Sequence, residues 1–208
     1  MKDGYNRLAP TYDRRWHHYL EETLTPVTEI LSDPRPLHIL DVACGTGELI
    51  RQLLVATPKA TFVGVDGSVG MLRIAKEKLR NVPRVTLQQA MADSLPFPEG
   101  RFDWVISCNS FHCFDYPNKV LSEMVRVLRP GGDLLILDWC RDSWYCRIVN
   151  QWLCRFDRTH VRMYTTRELR HLLTKQDVTI RHLRRFRIPC FLGLRVWEMM
   201  LCIGSSLA

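Results

Sequence analysis

Leu37-His38-Ile39-Leu40-Asp41-Val42-Ala43-Cys44-Gly45-Thr46-Gly47 is the stretch that decides how this chain folds. Its first six residues are short and mostly apolar, the composition of a strand buried on both faces of a sheet, and they run directly into a glycine-bearing turn. Residues from Glu48 to about Ala56 follow as a helix. In an open parallel sheet this strand-to-helix junction is where ligands bind, beyond the strand's carboxyl end at the point where strand order reverses. Glycines there permit the unusual dihedrals of a sharp turn and let backbone approach a ligand closely.

Upstream, Tyr19, Leu20, Leu24, Val27, Ile30 and Leu31 repeat with a helical period over Trp16 to Leu31, which stops at Ser32-Asp33-Pro34-Arg35-Pro36. Downstream, the strand–helix order recurs. Thr61 to Asp66 reads as a strand, Ser68 to Leu79 as a helix, Val85 to Gln89 and Phe102 to Cys108 as strands, Lys119 to Leu128 as a helix and Asp133 to Asp138 as the fifth strand. Such alternation with short connections predicts a mostly parallel sheet covered on both faces, because right-handed crossovers lay each helix over a face. Ser143 to Phe156 reads as helical, Thr165-Thr166-Arg167-Glu168 has capping-box spacing ahead of a helix over Leu169 to Lys175, and Val178–Ile188 and Val196–Ile203 supply two last strands.

The totals agree with one compact enzyme-sized unit. The chain has 208 residues, 46% hydrophobic and 25% charged, enough for a core without disulfide or metal staples. No linker, repeat or low-complexity segment divides it. The polar N-terminus and the lack of a long apolar run point to a cytoplasmic protein. The eight cysteines, at 44, 108, 113, 140, 146, 154, 190 and 202, contain no Cys-x-x-Cys pair, so they read as reduced, buried small hydrophobes with no metal site. The net charge of +7 is concentrated in late arginines, among them Arg155, Arg158, Arg162, Arg181, Arg184, Arg185 and Arg187. That excess fits a solvated basic face, and equally nucleic acid, an anionic membrane or an acidic ligand.

Asp66 narrows the ligand. It ends the second strand nineteen residues past Gly47, near the ~20-residue offset of the acid that grips paired ribose hydroxyls. The same spacing suits a dinucleotide, but Ile50 stands where that fingerprint wants its third small residue, and Asp41 puts negative charge before the loop, which suits a cation better than a pyrophosphate. Ala92-Asp93-Ser94-Leu95-Pro96-Phe97 follows the third strand, where an acid beside an apolar side chain can meet the amine and face of an adenine, although Asp-Ser-x-Pro is also a common turn.

Together these segments resemble the seven-stranded, Rossmann-like S-adenosylmethionine-dependent methyltransferases (class I), most closely the subgroup of the ubiquinone and menaquinone biosynthesis methyltransferases. The likeness runs from Tyr5-Asn6-Arg7-Leu8-Ala9-Pro10-Thr11-Tyr12-Asp13 to Val127-Leu128-Arg129-Pro130-Gly131-Gly132. It implies a three-layer α/β fold whose last strand is antiparallel, in a single domain over 1–208. Within it, 1–35 would form a helical lid, 36–140 the cofactor-binding core and 141–208 a variable acceptor side. It also implies that Asp41, Ala43, Gly45 and Gly47 hold the donor's methionine end, that Asp66 with Gly67 takes the ribose, and that Ala92, Asp93 and Ser94 flank the adenine. Met71, Cys108 and Asn109 would complete the donor site under Tyr5 and Tyr12 of the mobile lid. Ala43 and Cys44 depart mildly from the usual loop residues, as does Gly67 after the ribose acid.

Methyl transfer from a sulfonium is an in-line displacement on an activated donor, so orientation supplies much of the rate, ~7–11 kcal/mol of barrier at best. A base is needed only where the acceptor must lose a proton. His112, just past the fourth strand, is the leading candidate for that role and His160 the next, while either can equally be a hydrogen-bonded loop residue. Phe111, Trp139, Trp144 and Tyr145 read as an aromatic acceptor wall or simply as core. The acceptor expected is a small apolar or aromatic molecule. An RNA or protein methyltransferase using the basic C-terminal third, and a non-catalytic S-adenosylmethionine-binding protein, stand as alternatives. No nucleic-acid module is visible, and peripheral membrane contact through the basic C-terminal region is compatible with a lipid-like acceptor.

Overall fold

A computed structural model describes residues 2–157, 159–189 and 195–206, with side chains from Gly4 onward. Arg158 of the basic set and Cys190 lie outside the described residues. The elements in chain order are α1 (Lys2–Leu8), α2 (Tyr12–Ile30), β1 (His38–Val42), α3 (Glu48–Ala56), β2 (Thr61–Asp66), α4 (Val69–Lys78), β3 (Val85–Gln89) and β4 (Phe102–Cys108), followed by α5 (Pro117–Val127), β5 (Leu128–Trp139), α6 (Trp144–Phe156), α7 (Thr166–Thr174), β6 (Val178–Pro189) and β7 (Arg195–Ser206). One seven-stranded sheet has the order β3-β2-β1-β4-β5-β7-β6. Only β7 runs antiparallel to its neighbours, as expected.

The period of two along β1 sorts its side chains between two cores. Leu40 and Val42 pack with Val65, Val105, Leu134 and Ile136 under α5 and α7. Ile39 packs with Phe62, Ile106, Leu135 and Leu137 under α2, α3 and α4. Both faces of the sheet are therefore covered, which is why its central strands carry near-continuous apolar runs. Strand order reverses between β1 and β4, which puts the ends of β1, β2 and β4 around one crevice.

The boundaries differ from expectation in two informative places. The N-terminal helix starts at Tyr12, not Trp16; Trp16 itself is a kink with φ −109° and ψ 15°, and α1 precedes it. β5 begins at Leu128, five residues early, because Leu128 pairs with Phe102 before the chain passes the left-handed Gly131 and resumes register at Asp133. The capping box is present as read, with the Thr165 side chain bonded to the Glu168 N–H and the Glu168 side chain to that of Thr165.

The late arginines have a structural role. Arg181, Arg184, Arg185 and Arg187 lie on β6, an edge strand, where charge discourages pairing with another chain. Arg181 bonds Asp133, and Arg185 reaches both Asp142 and Glu198. Among the described residues, no helix is long and apolar enough to cross a membrane.

Gly64 on β2 shows how tightly the sheet meets α3. A Cβ there would lie 2.8 Å from Leu87 Cδ2 and 2.9 Å from both Cys44 Sγ and Ile50 Cδ1. Gly64→Ala is expected to destabilise by ~1–3 kcal/mol through overpacking, seen as a lower urea midpoint at unchanged m-value.

Candidate active site

The junction between β1 and α3 is built from left-handed backbone. Ala43, Gly45 and Gly47 have φ of 59°, 55° and 74°, a region open to glycine and costly for alanine. The turn closes through Gly47 N donating to Cys44 O at 2.9 Å, and Cys44 N donating to Val65 O at 2.9 Å. A Cβ on Gly47 would stand 2.9 Å from Leu79 Cδ1, so this glycine is required by packing as well as by φ.

Asp66 at the end of β2 ties the turn to the next helix. Its two carboxylate oxygens accept from Gly45 N at 2.8 Å and from Ser68 N at 2.7 Å. Burial raises its pKa, against those two backbone bonds. A carboxylate offers about four acceptor positions, so both oxygens can still receive hydroxyls from the cavity side.

Asp41 is the more unusual group. It is 3% exposed, and its Oδ2 is buried without a hydrogen-bond partner. Burial first, and the nearby Asp66 charge second, push its pKa up to about 8. A buried carboxylate lacking a counter-charge is costly, and a cation entering the cavity would relieve it. The donor set here, an unpartnered acid beside a glycine turn and a second acid, fits a ligand that joins a positive centre to a ribose.

These groups face a cavity of about 360 Å³. Tyr5, Tyr12, Asp41, Ala43, Gly45, Asp66, Gly67, Met71, Ala92, Asp93, Cys108 and Asn109, all read from the sequence as donor contacts, line it together. Gly47 and Ser94 do not; Gly47 acts through the turn, and Ser94 closes a small bridge with Met91. Sequence reasoning missed Cys113, Phe114, Asp115 and Tyr116 of the loop after β4, and Leu20 and Leu24 of α2, which also line the cavity.

The N-terminal segment covers this end through contacts that no local pattern announces. Asn6 Oδ1 accepts from Ser68 Oγ at 2.7 Å and from Gly70 N at 2.9 Å. Asp13 accepts from Thr46 Oγ1 at 2.5 Å, and Lys78 bridges Asp13 and Glu48 at 2.7 and 2.9 Å. Asn109, itself left-handed, accepts from the Tyr19 hydroxyl at 2.7 Å and donates to Thr23 Oγ1 at 3.0 Å, which fastens α2 to the end of β4.

His112 and His160 do not line the cavity. His112 Nδ1 lies 2.7 Å from Asp138 Oδ1, its N–H donates to Asp138 Oδ2 at 2.9 Å, and its ring stacks on Trp139 at 4.0 Å. Burial pulls its pKa down, but the Asp138 carboxylate and then Cys113 outweigh that and hold it well above the ordinary imidazole value. His160 Nε2 donates to Asn150 Oδ1 at 3.1 Å, and burial, with His112 beside it, lowers its pKa to about 4. The aromatic acceptor wall is not formed: Phe111 is buried core against Phe114 and Tyr164, Trp139 covers His112, Tyr145 is half-buried beside Trp144, and Trp144 is 73% exposed.

A family described as a methyltransferase domain matches residues 39–132. A demethylmenaquinone methyltransferase of Thermus thermophilus is 34% identical over 147 residues, 65% of this chain and 64% of that protein. A ubiquinone/menaquinone biosynthesis C-methyltransferase of Geobacter sulfurreducens is 30% identical over 154 residues, 67% of this chain and 57% of that one. The chain thus spans less than two-thirds of the length of these relatives. In fold it is similar to the YcgJ protein of Bacillus, with a TM-score of 0.76 at 19% identity, covering 90% of this chain and 99% of the other. It is also similar to an S-adenosylmethionine-dependent methyltransferase structure from Methanosarcina mazei, with a TM-score of 0.73 at 18% identity, covering 88% and 97%.

The pair His112–Asp138 makes a stability prediction. A raised folded-state imidazole pKa contributes stability that is complete below the unfolded value of ~6.5 and is lost as pH rises through the folded one. Asp138→Asn should therefore cost ~3 kcal/mol near pH 6 by leaving a buried imidazolium without its partner. The deficit should shrink at higher pH, as read from urea midpoints across a pH series.

Proposed function

We propose that this chain, whose residues 39–132 match a methyltransferase domain, is a class I, Rossmann-like methyltransferase that transfers the methyl group of S-adenosylmethionine to a small apolar or aromatic acceptor of the quinone-precursor type. The single observation that carries the reading is the buried, unpartnered Asp41 beside a left-handed glycine turn and the ribose-type acid Asp66. The relatives' names, a demethylmenaquinone methyltransferase among them, support the acceptor class.

When bound, S-adenosylmethionine supplies a methyl group already activated on a positive sulfur, so the protein's work is placement and exclusion of water. Asp41 and the turn from Ala43 to Gly47 take the positively charged methionine end. Asp66, with Gly67, accepts from the paired ribose hydroxyls, and charge-assisted bonds of that kind are the stronger sort. Ala92 and Asp93 with Met71 frame the adenine, Ser94 holds their loop through its bridge to Met91, and Cys108 and Asn109 border the methyl. Tyr5 and Tyr12 of a lid over residues 1–35 close above them, 36–140 forms the core and 141–208 the acceptor side, all within one domain. Tyr5 and Cys113, 3.2 Å apart, line the cavity, whereas His112 does not. His112 therefore acts as a positioning residue held by Asp138, with His160 packed against it. The acceptor's apolar character also makes peripheral membrane contact part of this reading.

Two measurements test the proposal. Asp66→Ala should weaken S-adenosylmethionine binding by roughly 10–100-fold in calorimetry, the loss of one or two hydrogen bonds to a charged group; unchanged affinity contradicts the ribose role. Radiolabelled donor incubated with a prenylated hydroxynaphthoquinone should move label into the organic phase. Label that stays aqueous, with donor binding intact, contradicts the acceptor class.

A further inference from the structure

Helix α6 is nearly unpartnered on one side. Trp144, Ile148, Trp152 and Phe156 recur every fourth residue, and they are 73%, 58%, 59% and 63% exposed. Residues four apart lie above one another on a helix, so the four form a continuous apolar ridge about three turns long. The opposite side is anchored by Cys146, the only fully buried residue of the helix. Isolated exposed apolar side chains are ordinary, but a contiguous ridge with two tryptophans is not.

The charge pattern chooses the occupant. Trp144–Phe156 contains Arg147 and Arg155 and no acid, and both arginines are exposed. Arg147 Nε donates to the Arg141 carbonyl at 3.3 Å, and no ion pair among the described residues involves Arg147 or Arg155. The acid that follows the helix, Asp157, accepts from Thr159 N and Oγ1 at 2.8 and 2.7 Å through its Oδ1. A helix with Trp and Phe on one side, arginines beside them and low net hydrophobicity lies in the plane of a membrane surface, with its apolar side ~5–10 Å deep. Tryptophan favours that depth.

We propose that α6 docks this protein on an anionic lipid surface, with the Trp144–Phe156 ridge in the acyl boundary and Arg147 and Arg155 at the headgroups. The location suits delivery of an apolar acceptor. Asn150 of α6 holds both His160 Nε2 at 3.1 Å and Met163 N at 2.6 Å, and His160 packs against His112 and Trp139. Thr159, just after α6, abuts α1, since a Cβ on Gly4 would lie 2.6 Å from its Cγ2. The C-terminal end of α6 is therefore close to α1, whose Tyr5 lines the cavity. Docking rests on the methyltransferase reading only for its purpose; vesicle binding and donor binding are measured separately, so either can fail alone.

The test uses the full chain with vesicles of phosphatidylcholine alone, and of phosphatidylcholine with phosphatidylglycerol. The expected result is co-sedimentation with the anionic vesicles, about tenfold weaker on the neutral ones, and quenching of tryptophan fluorescence by brominated lipid. Ile148→Glu with Trp152→Glu, at exposed positions, should weaken vesicle binding at least ~tenfold while the thermal melt and S-adenosylmethionine affinity stay as in the parent. Failure of the parent to bind anionic vesicles overturns the proposal, as does equal binding by the double variant. A dimer in sedimentation equilibrium that the double variant converts to monomer, without vesicle binding, assigns the ridge to a second copy and also overturns it.

Discussion

A carboxylate with no counter-charge sits at the end of the central strand, and much of the architecture follows from keeping it there. β1 is flanked by β2 and β4 and covered on both faces, so Asp41 cannot turn to solvent. Its Oδ2 has no partner, and its pKa rises to about 8. Such a group is tolerated where a ligand completes it, since strain and unsatisfied polarity concentrate at functional sites. The turn from Ala43 to Gly47 opens the space beside it, and Asp66 fixes that turn through Gly45 N.

Around this centre the protein uses polar ties of long sequence separation. Asn6 caps the start of α4, Asp13 and Lys78 join the start of α2 to the β1 turn, and Tyr19 links α2 to Asn109 and, through Trp139 Nε1 at 2.6 Å, to the end of β5. The N-terminal segment is held in two ways: Leu20, Leu24, Val27 and Leu31 of α2 are buried in the core under the sheet, while the residues before α2 are tied by hydrogen bonds, with Tyr5 and Tyr12 in edge contact at 6.5 Å. Polar ties of the kind that hold α1 open at lower cost than the apolar packing that holds α2. The deeper pair, His112 and Asp138, is different in kind: enclosed, stacked and structural in its contacts.

Most of the sheet was legible because its signals are local. The apolar runs ending in Gly45-Thr46-Gly47 and in Asp66, and the helical periods between them, specify a doubly wound sheet and its switch point without tertiary information. The start of β5 was not legible, since Arg129-Pro130-Gly131-Gly132 has the composition of a turn and its pairing to β4 depends on a register shift near Phe102. Cavity-lining residues that sit at strand ends were readable by their offsets. Leu20, Cys113 and Tyr116 were not, because they reach the cavity only through the packing of α2 and the loop after β4. The aromatic residues near 144 were misassigned for the same reason: a helical period reveals that Trp144, Ile148, Trp152 and Phe156 share a side, but not whether that side meets protein or solvent.

The central claim is that Asp41 receives a positive ligand. It is tested most directly by S-adenosylmethionine affinity as a function of pH, in the parent and in Asp41→Asn. With a free-protein pKa of about 8, the parent should bind ~tenfold more tightly for each pH unit gained from about pH 6 towards 8, then level off, because the cation selects the ionised carboxylate. The Asn variant should bind weakly with that slope absent. A flat profile in the parent, or the same slope in Asp41→Asn, would contradict the account.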